Sequence, residues 1–384
     1  MNNNHLRHIV TATACVAALS WTPAVATADI YRDIVDASSQ NSDSSQSSIN
    51  TGTGALALMG SSQIPMPEFN VELSDEYPKT IDESITTTEI VDKQVTAGSR
   101  WERWTIASPA MKRNVSVQIY RSADTDAPAP MVYMLDGINA EYESGWHVQR
   151  RDIDRVFGAE NVTLVMPTEA RGSLYADWQK PDPELGVNKW ETFIVDELAP
   201  LLEAEEELNF NGKRGIGGLS MGANAAVHLA NDNPDVFDGV FGLSGCYSPT
   251  SPIGSQMVSL IVTSRGASTD NLWGPFKSED WISHDTVLSP KGLRNQAVYL
   301  STGNGALTRE ERALYDKQES PFSMSNGVML EAGVLSCTKD LDASMRSEGM
   351  THHRVDYSDH GAHNWITFLE HLQPAWDHVK PALY

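Results

Sequence analysis

Cysteine and positive charge are both scarce in this sequence of 384 residues. Only three cysteines occur, and none lies at the spacing of a zinc site, so we predict no metal. Lysine and arginine number 28 against 51 acidic residues, which gives a formal net charge of −23. No run of basic residues is present to hold a phosphate backbone, and this excludes nucleic acid as a partner class.

The first 28 residues have the pattern of a secretion signal. Arg7 precedes an apolar stretch, and Ala26-Thr27-Ala28 forms a small-residue cleavage site before Asp29. A membrane anchor is the alternative, but the apolar stretch is short and contains several threonines. We therefore expect a protein secreted to the cell envelope or beyond it, with no transmembrane anchor.

Two cysteines, Cys246 and Cys337, lie outside this signal. An even number of cysteines in an exported chain favours a disulfide between them, and two separate buried thiols are the alternative.

Residues 29–95 form a low-complexity N-terminal extension. The run SSQNSDSSQSSINTGTG is rich in serine and poor in apolar residues, which predicts disorder. Such a segment serves as a linker or as an arm that binds a partner. We place the catalytic domain at residues 96–384.

Within that domain, short apolar runs alternate with amphipathic stretches. The strand-like runs include APMVYMLDGI, NVTLVMPTEA, FDGVFGLSGCY, QAVYLSTGNG and THHRVDYSDHG. The helix-like stretches are NKWETFIVDELAPLLEAEEEL, ANAAVHLAND and a closing helix, NWITFLEHLQPAWDHVKPAL, that we expect Pro374 to interrupt. The alternation predicts an α/β protein of the α/β-hydrolase fold, with a mostly parallel central sheet and helices on both faces.

Ser220 lies in the sequence GLSMG, between a strand-like run and a helix-like run. This Gly-x-Ser-x-Gly pattern is typical of a nucleophile elbow, in which a sharp turn exposes the serine hydroxyl. Two backbone amides must then stabilise the oxyanion of the reaction. Met221, which follows the serine, and Ile138, in the turn after LDG, are our candidates.

The serine needs a histidine base and an acid that orients the histidine. His360 and His363 both follow the last predicted strand, and His363 stands at the entrance of the final helix. After QAVYLSTGNG the first acids are Glu310 and Glu311, which look like solvated charges. The other candidate acid is Glu331, which lies among apolar residues and needs a partner such as His363 if it is buried.

Several ordered motifs resemble those of the secreted mycolyltransferases of the antigen 85 type, over most of residues 96–384. They are LDGINAEYESGW, SLYADWQKP, KWETFIVDELAPLL, GLSMGANAAVHLA, LWGP, GNG, MLEAG and HNWITFLEHL. The resemblance implies a Ser-Glu-His triad, which maps onto Ser220, Glu331 and His363 and so selects one acid and one histidine.

The resemblance also implies trehalose contacts at Asp136 and Trp365. The family usually has arginine where this chain has Asn139, and often serine where this chain has Asn364. We assign Asn139 to the same substrate-binding surface, although it lacks the donors of an arginine that would bind sugar hydroxyls.

The implied function is transfer of a mycoloyl group from trehalose monomycolate through an acyl-serine. The acceptor is a second sugar hydroxyl, on trehalose monomycolate, which gives trehalose dimycolate, or on arabinogalactan, and no cofactor is required. The alternatives are a carboxylesterase that uses water, protein O-mycoloylation on envelope proteins, and a catalytically idle envelope-binding protein.

Overall fold

A computed structural model describes residues 77–317 and 321–384. The predicted signal and most of the predicted extension lie outside the described residues, so both stay predictions. None of the helices in these two ranges combines the length and the hydropathy that a bilayer-spanning helix requires.

Nine strands within the described residues form one sheet. They are β1 (Glu89–Val95), β2 (Trp101–Ser108), β3 (Arg113–Tyr120), β4 (Ala129–Leu135), β5 (Thr163–Pro167), β6 (Phe210–Leu219), β7 (Gly239–Leu243), β8 (Ala297–Thr302) and β9 (Arg354–Tyr357). Their spatial order is β1-β2-β3-β5-β4-β6-β7-β8-β9. From β5 to β9 all neighbours are parallel, and β1 to β3 extend one edge in antiparallel register.

The longer helices connect the parallel strands. The α-helices are α1 (Gly145–Val148), α2 (Arg150–Phe157), α3 (Trp190–Thr192), α4 (Ala199–Glu203), α5 (Met221–Asp232), α6 (Pro252–Thr263), α7 (Thr269–Leu272), α8 (Glu279–Ser283), α9 (Arg309–Lys317), α10 (Pro321–Ser347) and α11 (Trp365–Leu383). The predicted helix over residues 188–208 is divided, because a π-helical segment, Phe193–Leu198, separates α3 from α4 and a 3₁₀ turn, Glu206–Leu208, follows.

Alternate side chains of the central strands pack on opposite faces of the sheet. In β4, Met131, Tyr133 and Leu135 join the cluster that includes α5. Val132 and Met134 join the second cluster, which includes α2 and α11. Because both faces are covered by helices, central strands such as β4 and β7 are apolar throughout. The predicted α/β-hydrolase architecture is therefore confirmed.

The structure corrects two predictions. Strand β1 lies within residues 29–95, which we predicted to be disordered. The prediction failed there because β1 is a polar edge strand whose contacts are with distant residues: Lys93 lies 4.0 Å above the Trp104 ring and pairs with Glu205. Helix α11 also continues through Pro374. Leu372 and Trp376 are buried against the sheet, and this packing outweighs the single helical hydrogen bond that proline removes.

Candidate active site

Ser220 occupies the turn between strand β6 and helix α5. Its backbone has φ 54° and ψ −119°, a strained conformation for a residue with a side chain. A Cβ atom on Gly218 would lie 2.4 Å from the Gly222 carbonyl oxygen, and one on Gly222 would lie 2.5 Å from the Asp136 carbonyl oxygen. The two glycines thus let the backbone close on itself, and the turn has the geometry of a nucleophile elbow.

His363 follows strand β9 and directly precedes the cap of helix α11. Its Nε2 lies 2.7 Å from the Ser220 hydroxyl oxygen, and its Nδ1 lies 2.7 Å from a carboxylate oxygen of Glu331. The other candidate, His360, contacts Asp359 and Glu370 on the surface instead. Of these two histidines, His363 is the one that is hydrogen-bonded to the serine.

Glu331 lies on helix α10 and is completely buried. While one carboxylate oxygen accepts from His363, the other accepts from the Ser244 hydroxyl at 2.6 Å and the Gly303 amide at 2.7 Å. An ionised carboxylate in the protein interior needs such donors, since burial without them is costly. The position is suited to an acid that holds the imidazole in one orientation.

An apolar groove of about 630 Å³, counting its open mouth, leads away from Ser220. Ile138 and Met221, whose amides are the predicted oxyanion donors, both line it. Its remaining wall includes the apolar side chains Leu174, Met257, Val258, Leu260, Ile261, Leu330 and Val334, from helices α6 and α10 and the loop before α3. An apolar chain bound in the groove would lie next to the serine hydroxyl.

Asp136 and Trp365 both lie close to Gly145, near the elbow. A Cβ atom on that glycine would lie 2.5 Å from the Trp365 ring and 3.0 Å from the Asp136 carboxylate. Burial raises the pKa of Asp136 to about 7, although the nearby Ser144 hydroxyl and Gly145 amide oppose the shift. The carboxyl group therefore titrates near neutral pH.

Asn139 is exposed, and its amide oxygen accepts a hydrogen bond of 2.6 Å from Arg265. That guanidinium comes from the turn after helix α6, and no feature of the sequence indicated this contact. The guanidinium of Arg265 thus lies next to position 139, although Asn139 is not itself basic.

A disulfide joins Cys246 and Cys337, as predicted. Cys246 follows strand β7 and lines the groove, whereas Cys337 lies on helix α10, the helix that carries Glu331. The bond therefore ties the acid's helix to the sheet.

One group among the described residues, Glu191, His228 and His284, has donor atoms within 4.8 Å of one another, as a metal site would. His284 hydrogen-bonds to Glu191 at 2.8 Å, and that contact raises the pKa of His284 although its burial opposes the shift. The imidazole rings of His228 and His284 lie with their centroids 4.3 Å apart and their planes 30° from parallel. A buried ion pair accounts for these contacts.

Glu311 differs from its predicted character. We expected a solvated charge, but its side chain is fully buried at the start of helix α9. Only Glu310, its neighbour, is exposed. The signal that the sequence offered was Thr308-x-x-Glu311, a capping-box pattern, which marks a helix start but not burial.

A parallel sheet with a serine at its elbow and a histidine after its last strand defines the α/β-hydrolase class. The chain matches the model of the Esterase family over residues 108–378 and belongs to that family. The class of activity that follows is that of an acyl-transferring serine hydrolase.

The chain is also similar to proteins named diacylglycerol acyltransferase/mycolyltransferase Ag85A, so the predicted resemblance is confirmed. The protein from Mycobacterium leprae (strain TN) is 27% identical over 286 residues, which cover 72% of this chain and 81% of that protein. The protein from Mycobacterium tuberculosis (strain ATCC 25618 / H37Rv) is 28% identical over 269 residues, or 68% and 75%.

Two solved structures show the shared fold. Mycobacterium tuberculosis MPT51 (FbpC1) has a TM-score of 0.62 at 21% identity and covers 75% of this chain and 100% of its own. An S-formylglutathione hydrolase from Agrobacterium tumefaciens has a TM-score of 0.53 at 16% identity, with 76% and 99% covered.

Proposed function

We propose that the protein is a mycolyltransferase, which moves a long acyl group from trehalose monomycolate to a second sugar hydroxyl through an acyl-serine. The observation that carries the proposal is that the hydrogen-bonded chain from Glu331 through His363 to Ser220 ends at an apolar groove. The relatives named mycolyltransferase support a long-chain acyl donor.

In the first step His363 removes the Ser220 proton through Nε2 while the serine oxygen attacks the ester carbonyl. Glu331 stabilises the resulting imidazolium through Nδ1. The oxyanion of the tetrahedral intermediate is stabilised by the amides of Ile138 and Met221, a contribution of about 10²–10³ in rate per donor. His363 then returns the proton to the leaving sugar oxygen, and the acyl chain stays in the groove.

In the second step a hydroxyl of the acceptor sugar takes the place of the leaving sugar. His363 removes its proton, the sugar oxygen attacks the acyl-serine carbonyl, and the proton returns to Ser220 as the serine leaves. We assign the sugar contacts to Trp365, whose indole would stack on the ring, and, on the family resemblance, to Asp136, although both Asp136 carboxylate oxygens are buried in this structure. Asn139, with Arg265 behind it, completes this surface.

The acceptor we favour is a second trehalose monomycolate or the arabinogalactan of the cell envelope. Serine hydroxyls of envelope proteins form a further acceptor class. Water as the acceptor would make the protein a carboxylesterase with the same three side chains.

Product analysis distinguishes these outcomes. The purified protein is incubated with a trehalose monoester, with and without added free trehalose, beside the Ser220→Ala variant. We expect new sugar ester that increases with trehalose and is absent in the variant. Release of free acid alone, at every trehalose concentration, would make the protein an esterase, and equal activity in the variant would rule out Ser220 as the nucleophile.

A further inference from the structure

The loop that carries His363 has no regular structure between strand β9 and helix α11. Backbone hydrogen bonds hold part of it: the His363 amide donates to the Gly327 carbonyl at 2.9 Å, the Gly361 amide donates to the Ala306 carbonyl at 2.8 Å, and the Gly361 carbonyl accepts from the Gly305 amide at 2.8 Å. The position of the imidazole also depends on what holds the residues on either side of it.

Glu311 holds both of those residues. One of its carboxylate oxygens, Oε1, accepts from the Ala362 amide at 2.7 Å and from the Asn364 side-chain amide at 2.9 Å. The same oxygen accepts from the Thr367 hydroxyl at 3.1 Å. The residue before His363, the residue after it and the first turn of α11 thus converge on one buried oxygen atom.

The other oxygen, Oε2, has a separate and purely local role. It accepts from the Thr308 amide at 2.8 Å, while the Thr308 hydroxyl accepts from the Glu311 amide at 3.1 Å. These reciprocal bonds form the capping box of helix α9. A capping box needs only one carboxylate oxygen and leaves the side chain free to face solvent, so it does not explain the three donors on Oε1 or the complete burial.

Asn364 makes the same connection from the other side. Its side-chain oxygen accepts from the Ile366 amide at 2.9 Å and so caps helix α11. Its side-chain nitrogen donates to Glu311 and, at 3.2 Å, to the Tyr315 hydroxyl on helix α9. A serine at this position could cap the helix but lacks the second arm that reaches α9.

We infer that Glu311 is a positioning residue for the acyl-transfer reaction: it fixes the loop around His363 so that the imidazole stays between Ser220 and Glu331. The inference rests on the proposed function, since it assumes that His363 is the base. Glu311 itself lies outside the reaction and acts only through its hydrogen bonds to Ala362, Asn364 and Thr367.

The size of the expected effect follows from geometry. The two hydrogen bonds of His363 are both 2.7 Å long, and a displacement of a reacting group by about 1 Å costs on the order of 10²-fold in rate. Apart from His363 itself, the groove is lined by other elements, chiefly α6 and α10, so we expect the binding of the acyl donor to depend little on Glu311.

The test compares the Glu311→Ala variant with two matched controls, by steady-state hydrolysis of a p-nitrophenyl acyl ester. Thr308→Ala weakens the same capping box but leaves Oε1 and its three donors in place. Glu310→Ala removes an exposed acid one residue away. We expect E311A to lower kcat by about 10- to 100-fold with KM changed by less than about threefold. Both controls should keep kcat within about twofold.

Two results would overturn the inference. One is a folded E311A protein, judged by near-ultraviolet circular dichroism, with kcat within twofold of the parent. The other is an equal loss of kcat in T308A, which would reduce Glu311 to a helix cap. If E311A does not fold, Asn364→Ser, which keeps the helix cap but removes a donor to Oε1, is measured instead, and a kcat within twofold of the parent would overturn the inference. Ser220→Ala is included in the same assay, because its full activity would contradict the proposed function rather than the role of Glu311.

Discussion

The two halves of the hydrogen-bonded chain at Ser220 are built in different ways. The serine half is local: strand β6, the turn and helix α5 are continuous in sequence, and Gly218 and Gly222 allow the turn to form. The histidine half is assembled from distant segments. Glu331 lies on α10, His363 follows β9, and Glu311 on α9 accepts hydrogen bonds from the loop around His363. The first half depends on backbone sterics and the second on buried hydrogen bonds, so they should fail differently.

The largest expected effect is on the histidine half. Glu331→Gln keeps the shape of the side chain but removes the charge that, in the proposed mechanism, stabilises the imidazolium. We expect kcat to fall by between about 10² and 10⁴ while the protein stays folded. Steady-state kinetics with a p-nitrophenyl ester and a thermal melt measure both quantities. Parent-like turnover in E331Q would show that the acid's charge has no part in the reaction.

The serine half should break through folding instead. Gly218→Ala places a Cβ atom 2.4 Å from the Gly222 carbonyl oxygen and 2.9 Å from the Leu135 carbonyl oxygen, and neither backbone can easily move. We expect a loss of about 2–4 kcal/mol in the free energy of unfolding, measured by urea denaturation.

Gly215→Ala, in the same strand, is the control for the elbow glycine. Its nearest contacts are the Leu383 and Val132 side chains at 3.3 Å, which can adjust. Equal destabilisation by both substitutions would mean that the elbow is no tighter than the rest of β6.

The disulfide sharpens the contrast, because it anchors only the helix of the acid. Replacing both Cys246 and Cys337 with serine opens a cross-link between positions 91 residues apart in sequence. We expect the free energy of unfolding to fall by about 2–5 kcal/mol. Chemical denaturation with and without a reducing agent measures this loss, and a parent protein that is insensitive to reduction would contradict it.

The last prediction is a pH dependence of stability at Asp136, beside the elbow. Burial raises the pKa of Asp136 in the folded protein to about 7 from an ordinary value of 3.8, so the folded state binds the proton more tightly than the unfolded chain. This contribution to stability is complete below pH 3.8 and is lost as pH rises through 7. Between pH 5 and 8 the parent should therefore lose stability relative to Asp136→Asn, and parallel stability curves would contradict the shift.

The difference between the halves also explains what the sequence could predict. Five consecutive residues and their flanking runs were enough for the elbow at Ser220. The residues alone left Glu310, Glu311 and Glu331 as possible acids, and family resemblance selected Glu331, because nothing local indicates which helix folds against the histidine loop. Glu311 was misjudged for the same reason: the sequence TREERALYDKQES looks like a solvated surface, and its burial depends on donors about 50 residues further along the chain.

The edge strand β1 was also missed because it depends on contacts with another segment of the chain. Strand β1 has an exposed, polar sequence, and it is recognisable as a strand only through its pairing with β2. Central strands such as β4 and β7 are apolar throughout, and for that reason they were predicted correctly.

The central claim is that Ser220 carries the acyl group between two acceptors, and intact-protein mass spectrometry tests it most directly. The protein is mixed with a trehalose monoester, quenched early, and compared with a sample to which excess trehalose is added before the quench. The account predicts a mass increase of one acyl group that is absent in Ser220→Ala and that disappears faster with trehalose, as new sugar ester forms. A protein that turns over the ester with no Ser220-dependent adduct, or an adduct lost at the same rate with and without sugar, would contradict it.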